Sequence, residues 1–153
     1  MLRLVVFVFL LVSAGAILAS AGRSSAPAPI KHVCGLTDRQ FLSNYQVQLA
    51  AVGMYADDYL QGSAKAQDVI DTAREAARVV RTSAPQDPSL LVVRQYVPAM
   101  FVEFGRAVKA RAADRNAAPA MYRSYSIRTH VDEILREAQP GLAAQGCSVA
   151  DLF

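Results

Sequence analysis

Apolar residues recur at helical spacing in the first part of the chain after residue 40. Their steps alternate between three and four, which is typical of one face of an α-helix. The positions are Phe41, Tyr45, Leu49, Val52, Ala56 and Tyr59. Thr37 followed by Gln40 matches a capping box, so we expect this helix to begin at Thr37. Gly62 is placed to end it in a left-handed conformation.

Two further helical stripes follow. We expect Ser63 to cap the second helix, and Asp87 with Pro88 to open the third. The second stripe is Ala66, Val69, Ile70, Ala73, Ala76, Ala77 and Val80. The third stripe is Leu90, Val93, Val97, Phe101, Phe104 and Val108. Pro98 lies inside the third helix and removes a backbone hydrogen bond, which predicts a kink or a break there.

A fourth helix is predicted from about Pro119 to Gln139, with Pro140 and Gly141 stopping it. Its apolar positions are Met121, Tyr125, Val131, Ile134, Leu135 and Ala138. No segment alternates between apolar and polar residues as a half-buried strand would. The pattern therefore predicts an all-α fold. With short connections, an antiparallel up-down-up-down four-helix bundle is the expected architecture.

The N-terminus has the pattern of an export signal. Arg3 precedes an unbroken apolar run over residues 4–12, and residues 19–21 (Ala-Ser-Ala) fit a signal-peptidase site. We expect residues 1–21 to be a signal peptide and residues 22–33, rich in Ser, Ala and Pro, to be a flexible linker. The alternative is an uncleaved anchor, because residues 4–22 carry no charge and are just long enough to span a bilayer.

The chain has two cysteines, Cys34 and Cys147. In an exported chain such a pair predicts one disulfide rather than a metal or redox site. Cys34 comes just before the first helix and Cys147 just after the fourth. In an up-down-up-down bundle these positions lie at the same end, so a disulfide would join the two termini of a helical domain over residues 34–153.

Charge and site chemistry exclude several functions. The sequence has 16 Lys and Arg against 13 Asp and Glu, and the positive charges never form a block, which argues against a nucleic-acid partner. His130 and Glu133 stand in the reverse order of a di-metal Glu-x-x-His motif, and too few ligands accompany them. His130 fits a rim position better than a haem ligand. No nucleophile motif is present, so we expect no enzyme and no cofactor.

The remaining candidate is a contact surface near the third helix. A proline kink beside aromatic residues and methionine can open a gap between helices. The candidate residues are Tyr96, Met100, Phe101, Phe104 and Arg106. We expect a monomeric, exported, non-enzymatic binding or interaction module, periplasmic or secreted, whose partner is an unknown protein or a component of the cell envelope. Two alternatives remain open: a membrane-tethered accessory subunit, and a carrier of a small apolar ligand such as haem or a lipid.

Overall fold

Four α-helices and one short 3₁₀ turn make up the part of the chain described by the computed structural model, residues 30–152. The helices are α1 (Leu36–Leu60), α2 (Ala66–Thr82), α3 (Pro88–Ala112) and α4 (Ala118–Ala144), and the 3₁₀ turn is Ala150–Leu152. Within these residues there is no β-strand. The all-α prediction with four packed helices is confirmed. The predicted signal peptide and most of the predicted linker lie outside the described residues.

The third helix is central to the packing, since α3 packs along both α2 and α4, while α1 packs along α2. Helices α2 and α3 approach each other closely because the side chains between them are small. Gly105 of α3 faces Ala73 of α2, and a Cβ at Gly105 would lie 3.7 Å from the Ala73 Cβ. The core also contains the large side chains of Phe41, Tyr45, Leu90, Phe101, Leu135 and Leu142, all of them buried.

The predicted disulfide is present. Cys34 and Cys147 are bonded across a sequence separation of 113 residues, with their Cα atoms 5.8 Å apart. Cys147 is buried, and Val149 and Leu152 after it are buried as well. The Arg128 guanidinium donates to the carbonyl of Leu152, which holds this C-terminal segment against α4.

Two buried carboxylates connect the elements near the disulfide. Asp38 accepts from the backbone N–H groups of Gly35, Gln86 and Asp87, at 2.8, 2.6 and 2.9 Å. Asp87 caps α3 through Oδ1, which accepts from the N–H groups of Ser89 and Leu90. The two side chains thus satisfy backbone donors that packing would otherwise leave without water.

The second oxygen of Asp87 holds the segment before α1. Oδ2 accepts from the N–H of Val33 and from Nδ1–H of His32, each at 3.0 Å. The His32 ring lies against Gly141 of α4, where a Cβ would come within 2.0 Å of the imidazole Cδ2. Residues 32–35, the start of α1, the start of α3 and the last turns of α4 therefore meet at one place.

The predicted helix starts differ from the observed ones. The N-cap of α1 is Gly35 and not Thr37, because the carboxylate of Asp38 accepts from the Gly35 N–H. The N-cap of α2 is Lys65, whose N–H donates to Asp68. Ser63 instead donates its hydroxyl to the Asp58 carbonyl and closes the end of α1. Asp87 and Pro88 open α3 as predicted, and Gly62 has the expected positive φ of 79°.

Two prolines lie inside helices. α3 continues through Pro98, so the helix is not broken there. The prediction that Pro140 stops α4 is wrong, since the helix continues to Ala144. Pro140 is exposed and lies close to the end of the helix, where a proline interrupts few backbone hydrogen bonds. The chain leaves the helix at Gly146, whose φ is 85°. Directly after it, the N–H of Cys147 donates to the carbonyl of buried Leu142.

The apolar stripe of α4 is rotated from the predicted one in its first half. Met121 and Tyr125 are exposed, whereas Ala120 and Ser124 are buried. Ser124 is buried because its hydroxyl donates to the Met100 carbonyl of α3 at 3.0 Å. In the second half, Val131, Leu135 and Ala138 are buried as predicted.

Candidate functional site

Two of the candidate contact residues are interior. Met100 and Phe101 are both buried in the core cluster. Met100 is further fixed at the interface of α3 and α4 by the hydrogen bond from Ser124. Their side chains pack inside the core, beneath the surface residues, and are not exposed for contact with a partner.

Tyr96 lies at the rim between α3 and α4. Its ring meets the His130 imidazole edge-on, with centroids 5.0 Å apart and an interplanar angle of 89°. His130 is exposed, and its Nδ1 is 3.8 Å from a Glu133 carboxylate oxygen. Across residues 30–152, no three His, Cys, Asp or Glu side chains are grouped as a metal ion would require. The position of His130 is that of a rim residue.

The other two candidates are separated from each other. Arg106 is exposed and donates to Glu103 on its own helix. Phe104 is partly buried and lies near the end of α3, beside Val108 and Met121. The five residues predicted from the sequence therefore share one helix but do not form one patch.

The outer side of α3 forms a continuous surface, of which the sequence analysis identified only Tyr96. We call it the α3 face, and it comprises Leu91, Val92, Gln95, Tyr96, Ala99 and Val102. Leu91, Val92 and Tyr96 are 37%, 38% and 39% exposed. None of the six side chains is charged. A helix that is apolar on all sides is normally covered on all sides, so this face is unusual for a solvent boundary.

A groove of about 560 Å³ runs along the α3 face. Its apolar floor is formed by Pro98, Ala99 and Val102. Its rim is polar and carries Arg81 from α2 with Gln95, Arg94, Glu103 and Arg106 from α3. Pro98 has no N–H to donate to the Arg94 carbonyl, which leaves that carbonyl without its usual partner in the helix.

The arginines of this rim are held in place by specific bonds. The Arg94 guanidinium donates through Nε and Nη2 to the Arg81 carbonyl at the end of α2, at 3.2 and 3.0 Å. Glu103 accepts from Arg106 and, at 2.9 Å, from Arg123 of α4. Burial alone would raise the pKa of Glu103, but the two guanidinium groups bring it below its usual value. The three arginines of the rim, with Arg123 beside them, outnumber this one carboxylate, so the rim carries a net positive charge.

The α3 face could have been found from the sequence. The run over residues 88–102 contains one charged residue, Arg94, and apolar side chains at nearly every angle around the helix. The stripe predicted for the third helix included only the apolar residues of its inward side. The surplus apolar residues on the other side are the pattern that indicates an additional contact surface.

No model of a protein family, no curated protein and no solved structure matches this chain significantly.

Proposed function

We propose that this chain is an exported, non-enzymatic binding module that docks on another protein through the α3 face. The observation behind this proposal is that residues 88–102 of α3 carry apolar side chains on nearly all sides, while one of those sides is exposed between α2 and α4. Leaving about a third of Leu91, Val92 and Tyr96 in water is unfavourable, and burial in an interface would recover roughly 25 cal/mol for each Å² covered.

The rim indicates the chemistry of the partner. Arg81, Arg94, Arg106 and Arg123 surround the face, and Glu103 is already engaged by two of them. Tyrosine and arginine are enriched at the energetic centres of protein interfaces, where apolar area is bordered by polar contacts. The complementary partner is a protein surface with an exposed apolar strip bordered by Asp and Glu.

The location outside the cytoplasm belongs to the same proposal. It is supported by the pattern of residues 1–21 and by the disulfide between Cys34 and Cys147, a bond typical of oxidising compartments. Among the described helices, none combines the length and apolarity needed to cross a bilayer. A membrane-tethered accessory subunit would dock through the same face, with residues 4–22 kept as its anchor. The mass of the N-terminal peptide from the exported fraction separates the two forms, since cleavage predicts a chain that begins at Gly22.

We also propose the antiparallel up-down-up-down order, with α3 kinked at Pro98. Short connections at residues 61–65, 83–87 and 113–117 support the order. So does the meeting of the start of α1, the start of α3 and the end of α4 near the disulfide. A kink at Pro98 would tilt the outer turns of α3 and shape the groove along its face.

The test is recovery of the partner by variants of the α3 face. The tagged protein is expressed in the organism that encodes it, cross-linked mildly, and purified from the exported fraction. Proteins recovered with it are quantified by mass spectrometry. We expect Tyr96→Ala and Arg106→Glu each to reduce the recovery of one specific acidic protein at least tenfold, in line with an interface hot spot. Val47→Ala, at an exposed position on α1, is the control and should change nothing. Equal recovery by all variants would refute this placement of the surface.

A further inference from the structure

A second groove lies where α1 and α3 end and α4 begins, away from the disulfide. Its volume is about 350 Å³. Its lining is apolar apart from Tyr59 and Arg111, and includes Leu60, Phe104, Val108 and Met121. The volume is at the lower end of the range found for small-molecule sites, which is roughly 300–1,000 Å³.

The groove exists because small side chains leave space at this end of the bundle. α1 packs along α2 and α4 packs along α3, whereas the direct approach of α1 to α4 is slight. Alanines at 56, 107, 117 and 118 do not fill the gap. Leu60 and Met121 are 64% and 44% exposed at its mouth, although both could bury their side chains against an apolar occupant.

A single charge stands in this apolar lining. Arg111 is the only ionisable side chain there apart from the Tyr59 phenol. Within residues 30–152, the Arg111 guanidinium and the Tyr59 hydroxyl make neither a hydrogen bond nor an ion pair. Both polar groups are therefore available to a ligand. An arginine binds a carboxylate through two parallel N–H···O bonds, which fix position as well as charge.

We propose that this groove binds a fatty acid, with one acyl chain along Phe104, Val108 and Met121 and its carboxylate on Arg111. The groove has room for one chain, which favours a single-chain carboxylate over a two-chain phospholipid. The apolar lining accounts for the chain, and the Arg111 guanidinium, which has no partner among residues 30–152, accounts for the head group. This site is independent of the α3 face, so either proposal can fail without the other.

The experiment measures binding of lauric acid to the oxidised protein recovered from the exported fraction, by displacement of the fluorescent fatty acid cis-parinaric acid. We expect saturable binding of one laurate per chain. Arg111→Gln should weaken laurate binding about tenfold or more, because a charge-assisted bidentate contact is lost. Arg115→Gln is the matched control, an exposed arginine of the same region outside the groove lining, and should bind as the parent does.

Two further arms make the outcome specific. Dodecanol has the same chain without the charge, so it should bind the parent more weakly than laurate does. Its affinity for Arg111→Gln should equal its affinity for the parent. Ala118→Trp should abolish binding of both by filling the groove, and Met121→Trp replaces it if the first variant has a lowered melting temperature. Absence of saturable binding, an unchanged affinity in Arg111→Gln, or preferential binding of a two-chain phospholipid or a second copy of the chain would each overturn the proposal.

Discussion

His32 donates from Nδ1 to Oδ2 of Asp87 at 3.0 Å, and this bond joins the segment before α1 to the cap of α3. Asp87 is fully buried and uses its other oxygen to begin the third helix. The imidazole also packs against Gly141, in the space that a Cβ would occupy in any other residue. One histidine therefore connects the chain next to Cys34 with both α3 and α4, close to the disulfide that joins the same ends.

The contact at Gly141 gives the first prediction. Gly141→Ala should destabilise the fold by about 2 kcal/mol, because its Cβ would lie 2.0 Å from the His32 ring and displace it from buried Asp87. Gly53→Ala is the control, since nothing lies within 4 Å of its added Cβ, and it should stabilise α1 by about 0.5–1 kcal/mol. Chemical denaturation measures both.

A double variant isolates the cause. In His32→Ala/Gly141→Ala the clash is absent, so the double variant should be no less stable than His32→Ala alone. Additive losses of stability from the two changes would show that Gly141 is needed for another reason.

The buried carboxylate of Asp38 predicts acid sensitivity. Burial alone would raise the pKa of Asp38, but the N–H donors of Asp87, Gly35 and Gln86, with the charge of Arg39, bring it below its usual value. Its contribution to stability is therefore complete above the unfolded value of about 3.9 and is lost as the pH falls through the lower folded value. The free energy of unfolding, measured from pH 7 to pH 2, should show this loss.

Replacement of Asp38 tests the assignment. Asp38→Asn should cost about 2 kcal/mol at pH 7 and progressively less in acid, where the parent carboxyl is protonated as well. Asp68→Asn changes the equivalent position of α2, which is exposed and accepts from one N–H, and should cost about 1 kcal/mol or less. If the two losses were equal and independent of pH, the network around Asp38 would not be responsible.

Tyr45 predicts a loss of stability at alkaline pH. Burial raises the pKa of Tyr45 to about 12. The nearby Asp132 carboxylate also raises this pKa, whereas the Arg128 guanidinium lowers it. The unfolded phenol releases its proton near pH 10, so the unfolded state gains relative stability as the pH rises from about 10 to 12. Unfolding measured across this range should show a decline that Tyr45→Phe removes.

The same substitution should be tolerated at neutral pH. The Tyr45 hydroxyl is buried without a hydrogen-bond partner of regular geometry in the described part of the chain. Tyr45→Phe should therefore remain within about 1 kcal/mol of the parent. Tyr122→Phe, at an exposed site, is the control and should leave the alkaline decline in place. A large loss at pH 7 in Tyr45→Phe would mean that the hydroxyl makes a stabilising bond.

The disulfide gives a fourth prediction. A loop closed over 113 residues stabilises by about 4–5 kcal/mol in the chain-entropy model. Cys34→Ser should lower the melting temperature about as much as reduction of the parent does, and reduction should not affect the variant. A parent whose melting temperature does not respond to reductant would show that the bond contributes little.

Sequence reasoning identified the elements of the fold because helical periodicity depends on local spacing. It placed Phe41, Leu90 and Leu135 correctly in the interior. It failed at Met121 and Tyr125, because a buried Ser124 that bonds to a carbonyl of α3 turns α4 away from its most apolar face. It failed at Thr37 for a similar reason. The bond that sets the cap, from the Gly35 N–H to Asp38, is local. The two further bonds that hold the Asp38 carboxylate come from Gln86 and Asp87, 48 and 49 positions away, and these have no local pattern.

The candidate site was less accessible to sequence reasoning than the fold. Tyr96 and Arg106 are on the surface, but the pattern of the third helix did not separate them from buried Met100 and Phe101. Which side of α3 is covered depends on where α2 and α4 pack, and that follows from the small residues Ala73 and Gly105 as much as from the large ones.

Site-specific photo-cross-linking at Ala99 tests the central claim most directly. A photoreactive amino acid replaces Ala99 in the middle of the α3 face, or Ala50 on the exposed side of α1 as the control, in the organism that encodes the protein. The account predicts one discrete protein adduct from position 99 and none from position 50. It also predicts that Arg94→Glu with Arg106→Glu abolishes the adduct. Equal cross-linking from both positions, or an adduct that persists after both charge reversals, would contradict it.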